Sequence, residues 1–186
     1  MDDFIASRNI NRAHPRWKEQ LPPPPLLKFE SDRRYSWELD TSEGPLVIRL
    51  LPDVARVHVS STIYLTRLGF YDSLKFHRVI PGFMAQGGDP KGNGTGNPGY
   101  LYAGEFADSV RHDRRGVVSM ANRGPETDGS QFFIMFGPAT HLDGKHTIFG
   151  ELVGGRRTLA AIEARGSKSG RPRGTIQIER ATIRVD

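Results

Sequence analysis

Arg78 is the residue whose placement most needs a chemical explanation. It stands in the run Phe76-His77-Arg78-Val79-Ile80-Pro81-Gly82-Phe83-Met84-Ala85-Gln86-Gly87-Gly88-Asp89, one guanidinium inside an aromatic and aliphatic strand. A charge among large apolar side chains is costly unless it has a task or its stem lies along the surface. A Pro-Gly turn follows, then a second apolar segment with one glutamine. Side chains alternate along a strand, so Met84 and Gln86 share one face and Phe83 and Ala85 the other. In Ser130-Gln131-Phe132-Phe133-Ile134 the same rule pairs Gln131 with Phe133. Each strand offers one amide and one large apolar group on a single side. Brought together, two such sides form a shallow apolar pocket rimmed by amides beside Arg78. Taken singly, each strand also fits a plain core strand.

Between these blocks lies Gly116-Val117-Val118-Ser119-Met120-Ala121-Asn122-Arg123-Gly124-Pro125, an apolar strand ending in a turn. Two roles fit Asn122: a turn former, or a residue offering its backbone to an extended ligand. His141-Leu142-Asp143-Gly144-Lys145-His146 is a turn, and its Asp-Gly pair is a hairpin signal. Three other chemistries lack support. Gly92-Asn93-Gly94-Thr95-Gly96 is not followed by Lys-Ser/Thr or by a helix, so it is no phosphate cradle. The six histidines show neither an HExxH pair nor paired acidic partners, which argues against a metal site. Neither Ser119 nor Ser130 occupies a G-x-S-x-G elbow.

The elements that must position these residues are mostly short strands. Residues 36–40 and 46–50 read as a strand pair around Ser42-Glu43-Gly44-Pro45. Pro52-Asp53 opens a helical pattern through Val54, Val57, Ser61, Tyr64, Leu65 and Leu68, closed by Gly69. Apolar runs at 75–80, 83–87, 116–120, 130–136 and 146–151 alternate with glycine-rich turns. A second helix is expected over 156–164, and strands at 176–178 and 181–185. Many short strands with two helices predict a mainly β fold, a closed antiparallel barrel.

Residues 1–34 differ from the body at 35–186. Arg8, Arg12, Arg16 and Lys18 precede Pro22-Pro23-Pro24-Pro25, a tetraproline that favours an extended polyproline II segment. This arm is either flexible or draped on the body, docked through Trp17 and Phe29, or a ligand for a proline-reading domain. The 186 residues suit one domain plus such an arm, and 37% hydrophobic with 25% charged residues is ordinary for a globular chain. Cys is absent, which excludes disulfides, thiolate nucleophiles and zinc-thiolate sites. No apolar stretch approaches the ~20 residues that span a bilayer. Acids at Asp2 and Asp3 stand where a signal peptide needs bases, so no membrane partner and a cytoplasmic location are expected. The net charge of +5 is spread along the chain, and its basic patches carry no interleaved aromatics, so nucleic acid is not an expected partner.

The blocks FHRVIPGFMAQGGD, GNGTG, GVVSMANRGP, GSQFFI and HLDGKHTIFG, in that order, resemble the signature of the cyclophilins across about residues 35–186. The resemblance implies an eight-stranded closed barrel capped by two α-helices, and peptidyl-prolyl cis-trans isomerase activity without cofactor or metal. It makes Arg78 the essential arginine, Gln86 its neighbouring amide, and Phe83, Met84, Phe133 and Leu142 the proline-ring pocket. Ala121, Asn122 and Gln131 would line the peptide groove, with His146 at the pocket edge. His141 stands where many eukaryotic members have tryptophan, which implies cyclosporin binding weakened at that position. Arg123 stands where a small residue is common. Either it narrows the neighbouring subsite or favours acidic residues upstream of proline, or it points to solvent. A monomer acting on proline-containing peptides and unfolded segments is expected.

Rotating an X-Pro bond makes and breaks no covalent bond, so it needs no nucleophile or general base. The alternative from another class is a proline-peptide binding module with incidental catalysis. The intact set Arg78, Gln86 and Phe133 favours the enzyme, because binding alone would not demand the arginine.

Overall fold

The computed structural model describes residues 1–186. Eight strands form one antiparallel sheet: β1 (Tyr35–Thr41), β2 (Gly44–Leu50), β3 (Arg78–Ile80), β4 (Met84–Gly87), β5 (Val117–Met120), β6 (Phe132–Met135), β7 (Ile148–Gly154) and β8 (Ile178–Val185). Their order is β3-β4-β6-β5-β7-β2-β1-β8. The expected closed barrel is therefore wrong. The sheet is a curled, open half-barrel with β3 and β8 as its two edges.

The cause lies in residues 165–177, just ahead of β8, where Gly166, Gly170, Pro172 and Gly174 prevent a strand. Loop backbone meets both edges instead. The Val79 amide donates to the Gly170 carbonyl at 2.8 Å, and the Ser167 amide donates to the Val79 carbonyl at 3.1 Å. Farther along, the Phe76 amide bonds the Ile176 carbonyl at 2.9 Å, and Lys75 and Gln177 form an isolated bridge. Edge groups are thus satisfied without strand pairing.

Alternation divides the central strands between two apolar clusters. Ala85, Val118, Met120, Phe132 and Ile134 enter the large core with Trp37, Phe149 and the helices. Met84, Val117, Phe133 and Met135 face the other way, into a smaller cluster with Ala139, Leu142 and Ile148. The smaller cluster is the floor of the candidate site.

Three helices accompany the sheet: α1 (Asp2–Ser7), α2 (Arg56–Arg67) and α3 (Arg156–Ala164). The two expected helices are α2 and α3, α2 being shorter at both ends than the 52–69 pattern; α1 in the arm carries no pattern that signals it. Helix α2 buries nearly all its faces, including Ser60, Thr62 and Thr66. Ser60 and Thr62 hydroxyls donate to the carbonyls four residues back, at 2.8 and 2.9 Å. No helix is long and apolar enough to cross a membrane.

The arm lies along the body. Arg67 binds the Asp2 carboxylate at 2.6 and 2.7 Å, and Phe4 packs edge-on to Tyr64 at 5.8 Å. Lys18 Nζ donates to the Asp72 carbonyl at 2.7 Å, and Glu19 pairs with Lys91 at 3.2 Å. The Leu21 side chain enters the large core, and its amide donates to the Pro98 carbonyl at 2.9 Å. Leu27 and Arg56 fix the far side of the proline run: the Leu27 amide donates to Ser60 Oγ and Arg56 Nε to the Leu27 carbonyl. Truncating a buried leucine costs about 2–5 kcal/mol. Leu21→Ala is therefore expected to lower urea-unfolding stability by about 2–4 kcal/mol. A loss below about 0.5 kcal/mol, within the range of surface changes, would show that the arm contributes nothing to the body.

Candidate active site

Three strands set the site. Across β3, β4 and β6 the register aligns Arg78 with Gln86 and Gln86 with Phe133. Residues opposite one another in a ladder project from the same face, so the three side chains form one row. Arg78 is exposed, Gln86 half-buried and Phe133 buried.

A directed amide chain runs from this row. Gln131 Nε2 donates to the Gly96 carbonyl at 2.9 Å, which leaves its Oε1 to accept from Gln86 Nε2 at 3.0 Å. Gln86 Oε1 is then turned toward Arg78, whose Nη1 lies 3.4 Å away. A carbonyl can only accept, so the first bond fixes the orientation of both amides. The other guanidinium N–H groups have no partner within the chain, and remain available as donors.

Beside the row is a cavity of about 220 Å³ lined by Arg78, Phe83, Met84, Gln86, Ala121, Asn122, Phe133, Leu142 and His146. Every one of these was expected from the sequence. Phe83 arrives against the alternation rule, which put it opposite Met84. It precedes β4, in the turn closed by its amide to the Ile80 carbonyl at 3.0 Å, and strand periodicity does not apply there. His146 Nδ1–H donates to the Met120 carbonyl at 2.8 Å, and the ring meets Phe133 edge-on at 5.6 Å.

The Asn122 side chain takes the turn role: Nδ2 donates to Asp128 Oδ1 and to the Lys145 carbonyl, both at 2.9 Å. The Asn122 backbone N–H and C=O have no partner within the chain, and the residue lines the cavity. Gln131 lines a second cavity of about 190 Å³ with Gln86, Ala121, Asn122, Arg123 and Gly94–Asn97. Arg123 is exposed, and its Nη2 donates to the Gly94 carbonyl at 2.7 Å, bridging two walls of that cavity. His141 lines neither cavity. It is exposed on the rim and stacks on Phe83 at 6.3 Å. No hairpin forms at Asp143-Gly144: Thr140–Leu142 is a 3₁₀ turn, and β6 and β7 each pair with β5 rather than with one another.

The glycine-rich segment does bind an anion, one supplied by the chain itself. Fully buried Asp89 accepts from the amides of Lys91 and Gly96 at Oδ1 and of Asn93 and Gly94 at Oδ2. A Cβ on Gly96 would fall 2.2 Å from Asp89 Oδ1, so only glycine fits. This cradle fixes the wall that carries the Gly96 carbonyl.

Two histidines have acidic partners that no sequence motif marks. His58 is wedged between Glu105 and Asp128. Buried His112 binds Asp143 at 2.8 Å, lies 3.0 Å from Ser119 Oγ, and stacks 6.1 Å from Phe133. Burial holds the His112 imidazole below the ordinary histidine range, and the Asp143 contact only partly offsets this. Ser119 is wholly buried against the Thr147 carbonyl, so this Ser-His-Asp array has no access to a substrate; it supports Phe133 from behind. The partners of His112 are 31 and 7 residues away, and no local spacing announces them.

A family model for cyclophilin type peptidyl-prolyl cis-trans isomerase matches residues 36–183. The chain belongs to that family. It is 46% identical over 177 residues to peptidyl-prolyl cis-trans isomerase-like 2 of Cryptococcus neoformans, covering 90% of this chain and 30% of the relative. Peptidyl-prolyl cis-trans isomerase 4 of Caenorhabditis elegans is 44% identical over 153 residues, covering 80% and 29%. The chain thus spans under a third of the length of these curated relatives. Among solved structures, a Cryptosporidium parvum cyclophilin type isomerase superposes with a TM-score of 0.77 at 33% identity, covering 81% of this chain and 98% of the other. The same protein determined in the presence of the dipeptide Ala-Pro gives 0.77 at 34% identity, covering 80% and 98%.

Proposed function

We propose that the chain catalyses cis-trans rotation about X-Pro bonds in exposed or unfolded protein segments. The observation that carries this reading is the single register row of Arg78, Gln86 and Phe133 beside an apolar cavity. Resonance gives the peptide bond a barrier of ~18–20 kcal/mol. A site that fits the twisted amide better than either planar form lowers that barrier.

In the twisted state the proline nitrogen regains a pyramidal lone pair and can accept a hydrogen bond. Arg78 donates it. The proline ring rests on Met84, Phe133 and Leu142, while the backbone N–H and C=O of Asn122 hold the preceding residue. The Arg78 bond forms only as resonance is lost, so it stabilises the transition state selectively. A rate gain of about 10⁵ corresponds to about 7 kcal/mol, which a preoriented charge and an apolar clamp supply together. A binding module would need the clamp but not the oriented guanidinium.

Arg123 narrows the second cavity from its bridge to Gly94, and its charge favours an acidic side chain upstream of proline. At the rim, the His141 imidazole offers less area than an indole, which weakens cyclosporin binding.

Removing a donor aimed at developing electron density costs about 10²–10³ in rate. Arg78→Ala should lose that much in a coupled-protease assay on an X-Pro peptide, and an unchanged rate would refute the mechanism. A peptide panel varying the residues before proline should favour acidic over basic side chains by about tenfold, a difference of about 1.4 kcal/mol. Arg123→Ala should abolish that preference, and a flat wild-type profile would make Arg123 a purely structural bridge. His141→Trp is expected to tighten cyclosporin binding about tenfold by calorimetric titration; no change would remove the rim from the account.

A further inference from the structure

We propose that His58 is a positioning residue for the peptide groove: as a buried imidazolium clasped by Glu105 and Asp128, it holds Asn122 in place and makes peptide affinity depend on its proton. This rests on the reading of Asn122 as the backbone anchor of an X-Pro peptide.

The His58 ring has no solvent exposure. Nδ1 lies 2.5 Å from Glu105 Oε2, and Nε2 lies 2.8 Å from Asp128 Oδ2. An ionised carboxylate can only accept hydrogen bonds. Two such neighbours therefore require a proton on each ring nitrogen, which is the imidazolium. Tyr102 packs edge-on to the ring at 4.7 Å, and Glu105, Asp128 and Tyr102 are the ionisable groups facing it from the segments packed around α2.

Each carboxylate has a second task. Glu105 accepts the Val57 and His58 amides at 3.1 and 3.0 Å, capping the start of α2, which has no side-chain cap of its own. Asp128 accepts the Thr147 hydroxyl at 3.2 Å through Oδ2, and the Asn122 side chain at 2.9 Å through Oδ1. The ring proton on Nε2 thus fixes the carboxylate that fixes Asn122. Without it, a nitrogen lone pair would face a carboxylate oxygen, and Asp128 would turn away.

Burial opposes the charge on His58, but the hydrogen bonds and charges of Asp128 and Glu105 outweigh burial and raise its pKa above the ordinary histidine value. A raised folded-state value means the stabilisation is complete below the unfolded-state pKa and is lost as pH rises through the folded one. Glu105 is held below its ordinary value: burial works against this, and the His58 and amide hydrogen bonds prevail. Its contribution is present above the unfolded carboxylate pKa and is lost as pH falls through the depressed one. The clasp therefore operates between the Glu105 titration on the acid side and the His58 titration on the alkaline side.

Anchoring the peptide backbone acts equally on ground and transition states, so its loss appears in affinity rather than in turnover. The test measures the Kd of a blocked Ala-Ala-Pro-Phe peptide by titration from about pH 7 to about pH 10, with nitrogen NMR of the His58 ring. Wild type should show both ring nitrogens protonated at about pH 7, and at least about a fivefold rise in Kd as they titrate. Asp128→Asn keeps an acceptor for Asn122 and offers its amide to a neutral ring, so its Kd should stay flat over that range. A singly protonated wild-type ring at about pH 7, or parallel profiles for the two proteins, would overturn the proposal. Both readouts are independent of catalysis. A wild type that binds and titrates as expected but does not isomerise would sink the enzymatic reading alone. Should Asp128→Asn fail to fold, the wild-type ring signals still decide.

Discussion

Register across β3, β4 and β6 is the constraint on which the site depends. A slip of one residue would send Gln86 into the core and Ala85 to the surface, because side chains alternate with a period of two. The correct register is fixed by burial on both faces: Ala85 and Phe132 belong to the large core, Met84 and Phe133 to the small one. The same packing that stabilises the strands therefore aligns Arg78 with Gln86 and Phe133. Orientation then propagates through hydrogen bonds, from the Gly96 carbonyl through Gln131 and Gln86 to Arg78. The origin of that chain is itself anchored by the Asp89 carboxylate inside its ring of amides.

The groove is built from turns laid against this rigid floor. Asp143 and His112 back Phe133, Asp128 holds Asn122, and Leu21 of the arm bonds Pro98 just beyond the wall of the second cavity. Free backbone groups at Asn122 and free guanidinium donors at Arg78 are exceptions in a site whose other polar atoms are largely paired. Polar groups left without partners in such a setting are the ones a ligand can satisfy.

Much of the site was legible in the sequence because strand alternation is a local rule. Met84, Gln86, Gln131 and Phe133 follow from it, and the signature blocks add Phe83, Ala121, Asn122, Leu142 and His146. Phe83 shows the limit of alternation, since it sits in a turn where the period of two has no meaning. The closed barrel was the wrong inference for a related reason: the strand count is local, but closure depends on how residues 167–170 meet β3 and how Ser73 and Leu74 meet the start of β8. Least legible was the His58 clasp. Its partners lie 47 and 70 residues away, and the histidine occupies a helix position that periodicity marks only as a residue type. The burial of Ser60, Thr62 and Thr66 in α2 likewise reflects the surrounding packing, which no helical pattern reveals.

The central claim is that an oriented guanidinium, and not merely a positive charge, promotes rotation about the X-Pro bond. Arg78→Lys tests it most directly, because lysine keeps the charge but lacks the planar fork that the Gln86 carbonyl orients. Exchange NMR on an X-Pro peptide reads the interconversion rate without a coupling protease. The account predicts a loss of about 10²-fold relative to wild type. A variant that keeps the wild-type rate would contradict it, since charge alone would then suffice and the register row would have no catalytic meaning.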